Sequence, residues 1–109
     1  MSSFAVESRM ARATAVVVSE DTLTVDLADG RTLAAPLAWY PRLAHATAEE
    51  RNSWRLIANG QGIHWPAIDE DISVANLLSG QPSGETQSSF KNWLAERAKR
   101  SRGSRRAGT

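Results

Sequence analysis

The feature that most constrains the fold is a hairpin pattern in residues 22–37, which read TLTVDLADGRTLAAPL. Apolar and polar residues alternate on both sides of Asp29 and Gly30, as they do in strands that bury one face. A three-residue turn ending at Gly30 pairs Val25 with Leu33 and keeps both apolar sets on one face, whereas a two-residue turn would separate them. The sequence therefore predicts an antiparallel hairpin with Gly30 in the left-handed conformation.

Further elements are predicted on both sides of this hairpin. The valine-rich residues 13–20 and the segment GIHW at 62–65 have the composition of strands. Residues 47–60 are predicted to form a helix, because Thr47 and Glu50 have the spacing of a capping box and an Asn-Gly pair would end it.

Two more helices are expected towards the C-terminus. Ser73 is predicted to cap a short helix that buries Leu77 and closes at Gly80. Phe90 and Trp93 recur at helical spacing further along, and we expect a last helix to dock through them.

Aromatic residues are few, and three tryptophans are predicted to belong to the core: Trp39, Trp54 and Trp65. An alternating strand that buries Trp39 would leave Tyr40 nearer to solvent, beside Arg42. In the helix expected at 47–60, Arg51 and Arg55 lie four residues apart and would share one face. These positions are therefore candidates for a contact surface.

Length and composition exclude several classes of protein. A chain of 109 residues builds one domain with a modest core. It contains no cysteine, so disulfides and thiolate chemistry are excluded. No apolar run approaches the ~20 residues that span a bilayer, and the N-terminus lacks the apolar stretch of a secretory signal. We expect a cytoplasmic protein.

Charge is distributed unevenly along the chain. The body, residues 1–84, contains six basic and ten acidic residues, whereas the remaining 25 residues contain seven basic and two acidic ones. Such a basic end suits nucleic acid or an acidic partner, and it also serves merely to keep a chain solvated. The expected organisation is a flexible N-terminus at 1–12, a single domain at 13–84, an amphipathic helix at 85–98 and a disordered basic tail at 99–109.

The segment IHWPAIDEDIS at 63–73 is the strongest candidate for a chemical site. His64 and the acidic residues Asp69, Glu70 and Asp71 are suitable ligands for zinc, manganese or magnesium. However, alternation in an extended stretch turns Glu70 away from its two neighbours, and no HExxH pattern is present. A structural role, beside the N-terminus of the helix after Ser73 or paired with arginine, is the preferred interpretation. We expect no catalytic residue, no metal and no cofactor.

Several blocks read together resemble one known family. They are DGRT (29–32), PLAWYPRL (36–43), ATAEERNSW (46–54) and GIHWPAIDEDISVANLLSG (62–80). In combination they are similar to the small bacterial proteins of the domain-of-unknown-function family DUF2442. The resemblance implies an α+β fold, with a small antiparallel β-meander of about three to four strands packed by two or three short helices. It implies no enzymatic activity, and it implies a second small protein encoded nearby, in an arrangement similar to a toxin–antitoxin pair.

The function expected from these observations is a non-enzymatic protein-interaction module, antitoxin-like or regulatory, with a protein partner encoded nearby. Its expected partner-binding residues are Tyr40, Arg42, Arg51, Arg55, Asp69, Glu70 and Asp71. The alternative is nucleic-acid binding by the basic tail, through Lys99, Arg100, Arg102, Arg105 and Arg106. Whether the acidic run pairs within the fold or faces a partner is left open, as is the oligomeric state.

Overall fold

The computed structural model describes the backbone of residues 11–107 and the side chains of residues 11–100. Six strands in this part form two three-stranded sheets with their strands in sequence order. The first sheet contains β1 (Ala13–Val18), β2 (Thr22–Leu27) and β3 (Thr32–Pro36), and the second contains β4 (Arg55–Ile57), β5 (Gly62–Trp65) and β6 (Glu70–Ser73). The helices are α1 (Pro41–Ala44), α2 (Ala48–Asn52), α3 (Val74–Ser79) and α4 (Gln87–Ala107).

The α+β class is confirmed, and each sheet is an antiparallel meander. The second sheet adds strands that the sequence did not predict, so the described strands number six instead of three to four. None of the helices in the described part is long and apolar enough to cross a membrane.

The predicted hairpin of β2 and β3 is confirmed in its register. Val25 lies opposite Leu33, and the Leu27 amide donates to the Arg31 carbonyl over 2.8 Å. Gly30 has a φ of +95°, which is the left-handed conformation that the three-residue turn requires. The alternation of apolar residues was therefore sufficient to fix this pairing.

The helix predicted over 47–60 is wrong in its second half. Its capping box is present, since Thr47 and Glu50 exchange both hydrogen bonds, but α2 ends at Asn52. Residues from Arg55 onward form β4, because pairing with β5 supplies their backbone with partners that an isolated helix end does not offer. Arg51 and Arg55 consequently do not share a helix face.

Two residues of the acidic run also lie in a strand that was not predicted. Glu70 and Asp71 belong to β6, although acidic residues are poor strand formers, because the chain turns back on β5 after Trp65. The short helix that follows agrees with the prediction. The Ser73 side chain caps it by accepting from the Asn76 amide, and Gly80 ends it with a φ of +74°.

The last helix docks as expected but is longer than expected. The rings of Phe90 and Trp93 stack 5.7 Å apart, and Trp93 packs against the core. The helix α4 continues to Ala107, where a disordered tail from residue 99 was predicted. Lysine, arginine and alanine are good helix formers, so an established helix propagates through this segment. Most of the N-terminal segment predicted to be flexible, residues 1–10, lies outside the described residues.

The core lies between the two sheets and the helices. Its largest fully buried side chains are Trp65, Leu23, Leu37, Leu43, Ile63, Ile68, Val25 and Val74. Trp39 and Trp54 are partly buried against this cluster. Tyr40, predicted to lie nearer to solvent, is buried, because the 3₁₀ turn at Leu37–Trp39 ends the alternation of β3 before it reaches Tyr40.

Candidate functional site

Five of the seven predicted partner-binding residues line a single polar cavity of about 260 Å³. They are Tyr40, Arg42, Asp69, Glu70 and Asp71. The rest of its wall comes from the junction of β6 with α3 and from the linker at 81–85. We call this space the polar cavity.

Glu70 is the buried carboxylate of the polar cavity. It occupies an inward-facing position of β6, opposite Trp65, and is only 8% exposed. No hydrogen bond to its carboxylate is found within the described part of the chain. Burial is the largest cause that raises the pKa of Glu70, to about 7, followed by the negative charge of Glu85. The Arg42 guanidinium opposes this rise without cancelling it.

Tyr40 contributes an unpartnered hydroxyl to the same cavity. The residue is 3% exposed, and its hydroxyl has no hydrogen-bond partner among the described residues. Burial, and then the charge of Glu70, raise the pKa of the Tyr40 hydroxyl. A buried polar atom without a partner is costly in a native protein and points to an unassigned role.

Arg42 is held in place by several acceptors. Its guanidinium donates to the Glu85 carboxylate at 2.8–3.1 Å, and it also donates to the carbonyls of Ile68 and Asp69. The Arg42 and Glu85 side chains are only 16% and 7% exposed. Burial raises the pKa of Glu85, but hydrogen bonds from Arg42 and Ser89 outweigh it, so the pKa lies below its ordinary value. The ion pair forms one wall of the cavity and ties the linker to α1.

The acidic run is therefore divided among three environments. Asp69 has a left-handed φ of +53° in the turn before β6, and its exposed carboxylate approaches Arg42 only to 4.0 Å. Asp71 faces the outside of the second sheet, where it accepts a hydrogen bond from Nδ1 of His64. Alternation along the strand correctly separated Glu70 from Asp69 and Asp71. Asp69 keeps the expected arginine pairing, as a long ion pair with Arg42, whereas Asp71 contacts His64 instead.

The two remaining predicted residues lie elsewhere. Arg51 donates to the carbonyls of Leu43 and Ala44, and so completes the C-terminal end of α1. Arg55 is exposed on β4, in register with His64 of β5. Arg51 thus has a structural role, whereas Arg55 belongs to the free edge of the second sheet.

That edge borders a groove of about 380 Å³. Its wall combines the beginning of β1 with β4 and the turn after it: Arg12, Ala13, Thr14, Ala28, Leu56, Ile57, Ala58, Asn59 and Gly60. The groove shares no lining residue with the polar cavity. We call it the edge groove.

The residues proposed for nucleic-acid binding lie on α4. Lys99 and Arg100 are exposed near the end of the described side chains. The side chains of Arg102, Arg105 and Arg106 lie outside the described residues. No group of three or more histidine, aspartate or glutamate side chains in the described part is arranged to hold a metal ion.

Glu85 is the main site residue that sequence reasoning missed. It lies in a polar linker, 43 residues from Arg42, and no periodicity or motif connects the two positions. Only the folded chain brings them together.

Replacing Glu70 by glutamine should change how stability depends on pH. The pKa of Glu70 rises from 4.5 to about 7 on folding, so the folded state holds the proton more tightly. The resulting stability is complete below pH 4.5 and is lost as the pH rises through 7, a loss of about 3 kcal/mol. Urea denaturation at pH 5, 6, 7 and 8 should show this decline in the natural protein and a flatter profile for Glu70→Gln.

Two other glutamates with shifted pKa values, Glu50 and Glu85, do not interfere with this experiment. The pKa values of both are lowered, so their contributions to stability decline only on acidification below about pH 4.5. The window from pH 5 to 8 therefore lies outside the range in which these two glutamates contribute to the pH dependence. Parallel profiles for Glu70→Gln and the natural protein would contradict the assignment.

Comparison with known proteins gives the chain a family. No curated protein matches it. A crystal structure of a protein of unknown function from Rhodospirillum rubrum ATCC 11170 is 27% identical, with 73% of this chain and 96% of that chain aligned at a TM-score of 0.59. A solution NMR structure of an uncharacterised protein from Chromobacterium violaceum is 20% identical and shares the fold, with 89% and 90% aligned at a TM-score of 0.60. Residues 13–83 match the family of proteins of unknown function DUF2442, and the chain belongs to that family.

Proposed function

We propose that the protein is an interaction module that binds an extended segment of a partner protein along the free edge of β4. The observation that carries this proposal is a strand edge that has apolar side chains and that no other strand of the described part of the chain pairs with. Leu56 and Ile57 are 36% and 37% exposed. Outside the ladder with β5, the backbone groups of β4 make no hydrogen bond within the described residues. Such an edge is a template for an added strand.

The chemistry of the edge groove favours a particular kind of segment. Its walls are mainly apolar, with Ala13, Ala28, Leu56 and Ile57, and its one charged lining residue is Arg12. Arg55 is exposed at the start of β4, and it forms no ion pair within the described part of the chain. Charge complementarity therefore supports an apolar strand that also carries a carboxylate.

The turn that closes this end of the groove supports a role in recognition. Ala58 and Asn59 have left-handed φ values of 52° and 58°, and Gly60 follows at 84°. A side chain at Gly60 would meet the Ala13 carbonyl at 3.0 Å, so the turn packs tightly on the beginning of β1. Left-handed conformation is unfavourable for alanine, and such strain tends to accumulate where a site must be held rigid.

A module of this kind suits the antitoxin-like or regulatory member of a two-gene operon in the cytoplasm. Its partner would then be the protein encoded nearby. Recognition by strand addition needs no catalytic group, because the hydrogen bonds of the ladder give affinity and the groove gives selectivity.

Ile57→Lys should weaken the complex with the product of the neighbouring gene. A lysine on an edge strand opposes pairing and places a charge in the apolar groove. We expect the Kd to rise by a factor of about ten or more, as for loss of a central apolar contact. Isothermal titration calorimetry with the purified neighbouring protein measures it, and the melting temperature of the variant establishes that it is folded.

The matched control is Val17→Lys, which puts the same charge at a 63% exposed valine of β1 outside the edge groove. Equal weakening by both substitutions, or no complex at micromolar concentrations, would count against the proposal. Deletion of residues 99–109 tests the alternative function, which is nucleic-acid binding. Loss of binding on that deletion, with affinity that falls steeply with salt, would favour nucleic-acid binding by the basic segment of α4.

A further inference from the structure

We propose that the polar cavity is a binding site for a primary ammonium group. The ammonium group donates hydrogen bonds to the Glu70 carboxylate and to the Tyr40 hydroxyl oxygen. The site is separate from the edge groove, and its failure would leave the proposed strand addition untouched. The ammonium group belongs either to a small free amine or to a lysine side chain.

Two buried polar side chains line the cavity. Glu70 and Tyr40 are 8% and 3% exposed. The Tyr40 hydroxyl is fully buried and has no hydrogen-bond partner in the described part of the chain. Such a hydroxyl costs free energy unless something bound in the cavity satisfies it.

The charges around the cavity favour a cationic ligand over an anionic one. The acidic residues in its wall are Asp69, Glu70, Asp71 and Glu85, and its one basic residue is Arg42. That guanidinium is already occupied by Glu85 and two backbone carbonyls. An anion would therefore meet repulsion, whereas a cation would neutralise the buried charge of Glu70.

The geometry favours ammonium over the other common cations. A metal ion prefers several converging ligands, and no group of three or more acidic or histidine side chains in the described part is arranged for one. An ammonium group has three donors at one point. Glu70 and Tyr40 satisfy two of them, and a side-chain amide oxygen of the remaining wall, on Asn76 or Gln81, is an acceptor for the third.

The electrostatics of Glu70 agree with this assignment. Burial raises the pKa of Glu70 most, the charges of Glu85, Asp71 and Asp69 raise it further, and Arg42 lowers it. A bound ammonium group would stabilise the charged carboxylate and lower its pKa. Binding near neutral pH should therefore release a proton and become tighter between pH 6 and pH 8.

The test uses n-propylamine, with n-propanol as its neutral counterpart and propionate as its anionic one. We expect saturable NMR shifts around the cavity with a Kd of about 1 mM for the amine at pH 7.5, which suits a ligand of four non-hydrogen atoms. The alcohol and the acid should cause no saturable shift. Glu70→Gln should weaken amine binding about tenfold or more, and Tyr40→Phe about fivefold, by loss of one acceptor.

Glu49→Gln is the matched control, because it removes one carboxylate from an exposed position of α2 outside the cavity. It should leave the Kd unchanged. Equal binding of propanol, unchanged binding by Glu70→Gln, or no saturation by about 10 mM amine would overturn the proposal. Comparison with Nα-acetyl-lysine amide identifies the source, since comparable binding indicates a lysine side chain and binding of the free amine alone indicates a small metabolite.

Discussion

Trp65→Ala is expected to lower the free energy of unfolding by about 4 kcal/mol, enough to abolish folding in a small domain. Trp65 is fully buried at the end of β5, where it packs between the second sheet and the helices. Its indole nitrogen donates to the Arg51 carbonyl at 3.0 Å, which fixes the end of α2 against the sheet. Urea denaturation followed by circular dichroism measures the change, and absence of a cooperative transition would be the extreme form of the expected result.

Two further variants separate packing from hydrogen bonding. Trp65→Phe keeps most of the apolar volume but leaves the Arg51 carbonyl without its donor, so a smaller loss of about 1–3 kcal/mol is expected. Trp39→Ala removes an equally large side chain that is only partly buried. A loss for Trp39→Ala as large as that for Trp65→Ala would contradict the central position assigned to Trp65.

Arg42→Met should cost about 3 kcal/mol of unfolding free energy, because it breaks a largely buried ion pair. The substitution leaves the Glu85 carboxylate buried without its ion partner and removes donors from the carbonyls of Ile68 and Asp69. It also removes the one nearby cation that lowers the pKa of Glu70. Thermal and urea denaturation at pH 7 should both report the loss.

The double variant Arg42→Met with Glu85→Gln tests whether the unpaired Glu85 carboxylate causes the loss of stability. Since the penalty arises from an unpaired buried charge, removing that charge should restore part of the stability lost in Arg42→Met. The more exposed pair of Arg97 and Glu50 provides the comparison, and Arg97→Met should cost only about 1 kcal/mol. Additive effects of the two substitutions in the double variant would rule out the ion pair as the cause.

The extent to which sequence predicted the fold depends on whether local pattern and tertiary pairing agree. In the hairpin of β2 and β3, alternation and Gly30 both specify the same register, and the structure has it. At residues 53–57 they conflict. The capping box starts a helix, but pairing with β5 turns the following residues into β4. A single sequence does not reveal that partner strand, so the helix was predicted to be too long.

The polar cavity shows a similar limit. Strand alternation predicted that Glu70 faces away from its acidic neighbours, but it did not establish which side is buried. Tyr40 was assigned to the surface because the strand alternation was continued through residue 40, but a 3₁₀ turn interrupts that alternation at Leu37. The pairing of Arg42 with Glu85 depends on the path of a linker without periodicity, and such a contact follows only from the folded chain.

The order of the strands has a consequence for how fast the chain folds. Both sheets place sequence neighbours side by side, and the turns within each sheet contain only three or four residues. Such short loops close with little loss of entropy, so each meander can form before the two sheets meet. Low contact order of this kind favours rapid folding and shortens the time for which the apolar faces of the strands are exposed to other unfolded chains.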